Sequence, residues 1–187
     1  EKDIPTNYIF GLYPAPGPGD ADYAALKVAT EYLRDRLFEE VRTKRNLTYA
    51  VSAGLSSKDS NYGYIYVTAV EPAKTMPVIY AEIDKLQSKE LTDQELEETI
   101  NVFITDYYMD QETNGSQADL LAQAHLLEGS YTEAAKFLEK VRAVAPADIK
   151  RVAKTYMRNY QFGIVGQKKA IDETIFVEAS VGDDQAQ

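Results

Sequence analysis

Histidine and cysteine are the residue types that restrict the chemistry of this chain most strongly. The 187 residues contain one histidine, His125, and no cysteine. A metal motif with two histidines, a thiolate nucleophile and a Cys-ligated zinc or iron–sulfur site are therefore excluded within the sequence. A Ser-His triad would need His125, and no Gly-x-Ser-x-Gly elbow, Walker loop or Gly-x-Gly-x-x-Gly fingerprint accompanies it. We interpret His125 as an ordinary helix residue.

Charge and hydropathy exclude two further classes of function. The chain has 20 Lys and Arg against 30 Asp and Glu, a formal net charge of −10, and no basic stripe. This balance argues against a nucleic-acid partner. No apolar run approaches the roughly 18 residues that a membrane span needs. The chain begins at Glu1 without a secretory signal, so we expect a piece of a longer protein, and the bacterial periplasm and the cytoplasm both stay open as its compartment.

The hydrophobic pattern predicts a single domain of the α+β class. Strand-like runs lie at 7–13, 48–57, 62–71 and 161–166, and the second and third form a hairpin around the loop 57–61. Apolar residues at steps of three and four predict a long helix from an Asp20 N-cap to Val41, and five more helices follow the hairpin. Thr92 and Glu95 have capping-box spacing, whereas Asn114-Gly115 predicts a helix break.

The segment 36–53 carries the most specific sequence signal. It reads RLFEEVRTKRNLTYAVSA, and it resembles the signature of the pitrilysin family of zinc metallopeptidases, which includes insulin-degrading enzyme and the mitochondrial processing peptidase. Weaker similarities follow in the family's order at 91–96, 141–153 and 156–166, so the resemblance covers roughly residues 7–170. Asn46 stands where Gly is usual in the family, and Asn tolerates the left-handed backbone that a turn needs.

The resemblance implies a fold and a place in a larger enzyme. The implied fold is α+β, a mixed, mostly antiparallel sheet of about four strands with several helices packed on one face. The implied role is the second, non-metal domain of a module whose first domain bears H-x-x-E-H. Zinc would then be held by that other domain, in the same or a partner chain, and the single histidine here agrees with this division.

Two residues match the family's functional positions. The family's Arg and Tyr lie seven residues apart, and Arg42 and Tyr49 match them. The resemblance implies that they reach the zinc site of another module and touch a peptide substrate there. A phenol O–H can donate to the oxyanion of peptide hydrolysis, and a guanidinium can hold substrate carbonyls with two forked donors. Tyr49 would supply the oxyanion hydrogen bond and Arg42 the carbonyl clamp.

Each of these residues also has a structural interpretation. Alternation places Tyr49 on the same face as Val51 and Ala53, which predicts a core tyrosine, although the first residue after a turn can escape strict alternation. Arg42 alone would be a solvated cation at a helix end. Tyr62, Tyr64 and Tyr66 form a stripe that we interpret as a packed sheet-to-helix layer rather than a binding strip. Only the tertiary structure can distinguish between these alternatives.

Three functional hypotheses follow from the sequence. The first is the substrate-clamping domain of a zinc metalloendopeptidase, inactive without the H-x-x-E-H domain. The second is an inactive structural or partner subunit of the same fold, and the third an unrelated α+β ligand-binding domain. We expect a linker end at 1–6, one domain at 7–170 and a frayed acidic extension at 171–187. An exposed, partly apolar functional face predicts weak self-association as a homodimer.

Overall fold

The computed structural model describes residues 4–177. Residues 1–3 of the predicted linker end and 178–187 of the predicted extension lie outside the described residues. The described strands are β1 (Asn7–Ala15), β2 (Val51–Leu55), β3 (Asn61–Ala69) and β4 (Gln161–Val165). The described helices are α1 (Tyr23–Leu37), α2 (Pro72–Ser88), α3 (Asp93–Met109), α4 (Asn114–Glu128), α5 (Glu133–Arg142), α6 (Pro146–Tyr156) and α7 (Thr174–Val177).

The four strands form one sheet in the order β2-β3-β1-β4, and every pair is antiparallel. Alternate residues of the central strands, such as Ile9, Ile65 and Val67, are buried on the face against which the helices pack. The helices α1 and α6 contribute fully buried Leu26, Leu33 and other side chains to this core. The predicted α+β fold, with a four-stranded layer and helices on one face, is confirmed.

The tyrosine stripe of β3 lies on the other face of the sheet. Tyr62, Tyr64 and Tyr66 alternate with the buried Gly63 and Ile65 and are half-buried. Tyr64 stacks on Phe10 of β1 with a ring-centroid distance of 5.3 Å. The expected packing of this stripe against a helix layer is therefore wrong. Phe10 contacts Tyr66 as well as Tyr64 across the strands, and such contacts stabilise a sheet face that helices leave open.

Two helix starts differ from the sequence prediction. α1 begins at Tyr23 rather than after Asp20, because a turn intervenes in which the Asp20 carboxylate accepts the Asp22 N–H at 2.8 Å. α4 begins at Asn114, since the Thr113 hydroxyl accepts the Ser116 N–H at 3.0 Å and caps the helix. The expected break at Asn114-Gly115 is therefore wrong, and those residues form the first helical turn.

Two other predictions from local sequence patterns are confirmed. Thr92 accepts the Glu95 N–H at 3.2 Å, and the Glu95 carboxylate accepts the Thr92 N–H at 2.8 Å, which completes the predicted capping box. Pro146 begins α6 at a position where its missing N–H costs nothing. Within the predicted extension, Phe176 of α7 packs edge-on against Phe162 of β4 at 5.1 Å. The described part of the extension, residues 171–177, is thus attached to the edge strand β4.

Candidate functional site

The segment that carries the family signature continues directly from the buried helix α1. After Leu37 the backbone widens into a π-helical segment, Phe38–Thr43. The Lys44 N–H donates to the Glu39 carbonyl at 2.8 Å, a step of five residues rather than four. Single π turns inside helices frequently mark functional sites. The widening turns residues 38–43 relative to α1 while Val41 stays fully buried in the core.

A tight turn then reverses the chain toward β2. The Leu47 N–H donates to the Val41 carbonyl at 2.9 Å, and Asn46 has a φ of 50°, in the left-handed region. The expectation that Asn46 accommodates a left-handed turn is confirmed. Beyond the turn, the Thr48 hydroxyl lies 3.1 Å from that of Thr68 on β3, which anchors the segment to the sheet just before Tyr49.

The structure brings Arg42 and Tyr49 into direct contact. The guanidinium carbon of Arg42 lies 4.9 Å from the centroid of the Tyr49 ring. The same carbon lies 4.8 Å from the centroid of the Phe38 ring. Both distances fall within the roughly 6 Å at which a cation is attracted to an aromatic face. Arg42 is therefore held by two aromatic rings, and we call these three residues the Phe38–Arg42–Tyr49 cluster.

Exposure separates the two interpretations of Tyr49. Its side chain is 82% exposed, so the core interpretation disagrees with the structure. The reason is that β2 begins only at Val51, so Tyr49 lies before the strand and does not follow its alternation. Phe38 is 47% exposed and completes an aromatic surface around Arg42. The functional role of Arg42 and Tyr49 stays a prediction.

Sequence reasoning missed Phe38. It precedes Arg42 by four residues, and this spacing places two side chains on the same face of a helix. The signal was therefore available, but an exposed Phe beside a buried Leu37 also fits the edge of a core. Only the π-helical geometry, together with the turn that returns Tyr49, shows that Phe38 and Tyr49 flank the same guanidinium.

An ion network is centred on the buried Glu40, which lies in the π-helical segment between the first two residues of the cluster. The Glu40 carboxylate accepts hydrogen bonds from Arg36 at 3.0 Å, Lys44 at 2.7 Å and Arg45 at 2.5 Å. The hydrogen bonds from Lys44 and Arg45, with these positive charges, lower the pKa of Glu40 to about 2. Arg36 also donates to the buried Glu82 of α2 at 3.3 Å. The network thus joins α1, α2 and the turn after the π-helical segment.

The described residues do not fit a zinc site. Between residues 4 and 177, no group of three or more His, Asp or Glu side chains is arranged to hold a metal ion. His125 is an exposed residue of α4, and its carbonyl accepts the Gly129 N–H that ends the helix. No metal-dependent step can therefore be assigned to side chains of this range.

No helix between residues 4 and 177 has the length and apolar character required to cross a bilayer.

Comparison with known proteins places the chain in a family. A model described as the peptidase M16 inactive domain matches residues 1–103, which include the whole Phe38–Arg42–Tyr49 cluster. The chain belongs to the peptidase M16 inactive-domain family. The expected membership of the pitrilysin group of zinc metallopeptidases, as a domain without the metal site, is thereby confirmed. A comparison with curated proteins gives no match.

Solved structures share the fold of this M16 domain. A putative zinc protease from Bordetella pertussis Tohama I superposes with a TM-score of 0.73 at 19% identity, over 87% of this chain and 94% of that one. The inactive peptidase domain of a putative zinc protease from Bordetella parapertussis gives 0.74 at 20% identity, over 86% and 92%. A protease from Helicobacter pylori gives 0.78 at 17% identity, over 88% of this chain but 42% of its own.

These comparisons show which domain of an M16 protease the chain corresponds to. It is a domain of the type described as inactive, which lacks the metal site. The Helicobacter chain is more than twice as long as the segment that matches. The domain therefore occurs in some structures with little else and in others within a larger chain.

Proposed function

We propose that this M16 domain binds peptide substrate for a zinc metalloendopeptidase whose metal lies in an H-x-x-E-H domain outside this sequence. The observation that carries the proposal is the Phe38–Arg42–Tyr49 cluster, in which the two family-matched residues are in contact and accessible. The proposed roles are a carbonyl clamp for Arg42 and an oxyanion hydrogen bond for Tyr49. The inactive structural subunit remains the alternative against which this proposal is tested.

The geometry of Arg42 supports its proposed role. The guanidinium carbon lies near both ring centroids, and contacts of this cation–π kind do not consume the N–H donors, which lie in the guanidinium plane. Among the described residues no carboxylate lies within ion-pair distance of Arg42, in contrast to Arg36 and Arg45. Arg42 is therefore held in place without losing its donors, which can form forked hydrogen bonds to successive carbonyls of an extended peptide. Such bonds orient the peptide before and during the reaction.

The exposure of Tyr49 supports the second role. Zinc held by the other domain would supply a Lewis acid for the scissile carbonyl and an activated water. The phenol O–H of Tyr49 can then donate to the carbonyl oxygen as negative charge develops on it. A donor held in advance by its surroundings stabilises this charge without reorganisation. The stacking on Arg42 and the anchored Thr48 beside it hold the Tyr49 ring in this way.

The deciding experiment is steady-state kinetics on the domain combined with its H-x-x-E-H domain. Tyr49→Phe should lower kcat and kcat/KM together by about a hundredfold to a thousandfold, or roughly 2.7–4 kcal/mol, with KM nearly unchanged. Arg42→Ala should lower kcat/KM and also raise KM, because it binds carbonyls in the ground state as well. Tyr131→Phe and Arg142→Ala, both exposed and outside the cluster, serve as matched controls.

Two results would contradict the proposal. Wild-type rates for both Tyr49→Phe and Arg42→Ala, in a protein shown to hydrolyse peptides, would exclude the clamp. Absence of peptidase activity in the wild-type assembly with zinc bound would favour the inactive structural subunit. Thermal melts of the same variants check folding, and we expect little change because Tyr49 is exposed and Phe retains its ring.

A further inference from the structure

We propose that Glu40 is the positioning residue of the Phe38–Arg42–Tyr49 cluster: it ties the turn after the π-helical segment to α1 and so keeps Tyr49 stacked on Arg42. The inference rests on the proposed function for its kinetic consequence, but the positioning itself is a structural statement. Glu40 is not one of the two residues that match the family's functional positions. Its role follows from its burial and from the contacts it makes.

Two adjacent carboxylates show why Glu40 is unusual. Glu39 and Glu40 both contact Arg36 and Lys44. The side chain of Glu39 is 44% exposed, whereas that of Glu40 is 8% exposed. A buried carboxylate is strongly unfavourable unless cations and hydrogen bonds compensate for lost water. Glu40 therefore requires its partners in place, while the Glu39 pairs are of the exposed kind that contributes little.

Arg45 makes the contact that closes the turn. Its Nη1 donates to the Glu40 carboxylate at 2.5 Å and to the Glu40 backbone carbonyl at 2.9 Å. That carbonyl belongs to the widened segment, where the normal helical ladder is interrupted. Lys44 adds a hydrogen bond to the same carboxylate at 2.7 Å. Both cations of the turn are thus directed back onto one buried acid.

The other end of the network is anchored in the core. Arg36 donates to Glu40 at 3.0 Å and to Glu82 of α2 at 3.3 Å. Glu82 is itself buried and accepts a hydrogen bond from Lys85 at 2.6 Å. Glu40 and Glu82 are the buried members of this network, and each carboxylate requires its cations in place because it has lost its water. Glu40 therefore fixes the position of the turn relative to α1 and α2.

The short separation along the chain explains how this turn affects the cluster. Arg45 and Tyr49 are four positions apart. Between them the chain is also held by the Leu47 N–H, bonded to the π-helical segment, and by the Thr48 hydroxyl, in contact with β3. If the two cations of the turn are released, these contacts remain, so we expect a small displacement of Tyr49 and not a detachment of the segment. The contact between Tyr49 and Arg42 spans 4.9 Å, within the roughly 6 Å at which a cation is attracted to a ring, and such a displacement would weaken it.

The first test is nuclear magnetic resonance of the Arg42 side chain in this 187-residue chain. Solved chains of relatives that consist of little more than this domain support working with it alone. In the wild type, two flanking rings should shift the Arg42 Nε–H resonance upfield, and Arg42→Lys assigns the signal. Glu40→Gln should lose much of this shift, whereas Glu39→Gln, the matched neighbour, should retain it.

The second test is kinetics in the complete protease. Glu40→Gln should raise KM and lower kcat/KM by about tenfold to a hundredfold, since a misplacement of about 1 Å can cost about a hundredfold. A purely structural role would reduce the folded fraction and hence kcat, and would leave KM unchanged. Glu39→Gln should keep wild-type values. If Glu40→Gln fails to fold, Arg45→Gln removes the same link from an exposed position and should give the same two effects.

The outcomes separate this inference from the proposed function. An unchanged Arg42 resonance in both Glu40→Gln and Arg45→Gln overturns the positioning role of Glu40. A lost shift, with Tyr49→Phe and Arg42→Ala kinetically silent, supports the positioning role and contradicts the clamp. A lost shift with wild-type KM in Glu40→Gln, while Arg42→Ala raises KM, overturns the claim that positioning matters for substrate binding.

Discussion

Helices α6 and α4 are attached to the domain in very different ways. The shorter helix, α6, buries Ile149, Val152 and Ala153 against α1 and α2. The longer helix, α4, buries only Ala124 among its described side chains and leaves Leu121 and Leu126 exposed. Burial of apolar area provides most of the stability of a helix in a protein. We therefore expect α6 to share the global stability of the core and α4 to be far less stable.

The space beneath α4 accounts for this difference. A cavity of about 660 Å³ is lined by residues of α4 together with residues of α1, α3 and α5. Its wall includes the aromatic rings of Phe103, Tyr107 and Phe137 and the charged Lys27 and Glu31. Burial lowers the pKa of Lys27 and raises that of Glu31, because both charged forms lose water. Side chains that face a cavity lack packing partners, so this region belongs to the low-stability end of the domain.

This comparison shows that the candidate site depends on the layer of α1, α2 and α6 and not on α4. The π-helical segment extends α1, and its ion network reaches α2, whereas none of the residues of the Phe38–Arg42–Tyr49 cluster lines the cavity. Loosening α4 should therefore leave the cluster intact, and loosening the α1–α2–α6 layer should not. Three predictions test this division.

The largest expected effect is a cavity in the α6 layer. Ile149→Ala should lower the free energy of unfolding by about 2–5 kcal/mol, because a fully buried side chain is removed from a packed core. Leu126→Ala on α4, where the side chain is 79% exposed, should change it by less than about 0.5 kcal/mol. Urea denaturation followed by circular dichroism measures both. Equal effects would show that α4 is part of the same core.

Two threonine caps give a matched and smaller test. Thr92 caps α3 and Thr113 caps α4, and each hydroxyl accepts the N–H of the residue three positions later. Thr92→Ala should cost about 1 kcal/mol in global unfolding. Thr113→Ala should cost less than about 0.5 kcal/mol globally, because α4 can open before the core does, and should accelerate hydrogen exchange within α4. Similar losses in the free energy of global unfolding for the two variants, with unchanged hydrogen exchange in α4, would contradict the lower stability of α4.

The smallest expected effect is a pH dependence of the stability that the Glu40 network contributes. The pKa of Glu40 is about 2 in the folded domain, against an ordinary 4.5. A carboxyl with a depressed folded pKa contributes stability above its unfolded pKa and loses it as pH falls toward the folded value. The stability difference between wild type and Glu40→Gln should therefore shrink as pH falls from about 4.5 to 2. Parallel stability curves over this range would exclude a contribution from the Glu40 charge.

Local signals made much of the fold predictable. The Thr92 and Glu95 capping box, Pro146 at the start of α6 and the hairpin of β2 and β3 depend on neighbouring residues, and each appears as expected. The errors arose where a local signal competed with a stronger one nearby. Asn114-Gly115 resembles a helix break, but the Thr113 cap makes a helix start more favourable. Asp20 resembles an N-cap, but its carboxylate stabilises the turn before α1 instead.

The amino-acid sequence by itself determined the family, the absence of a cysteine or two-histidine metal motif, and the two residues that match the family's functional positions. Only the tertiary structure decided how those residues are presented. The exposure of Tyr49, its contact with Arg42 and the burial of Glu40 depend on where the chain returns after the π-helical segment. The same holds for the tyrosine stripe, because which face of a sheet the helices cover depends on long-range packing and not on alternation along one strand.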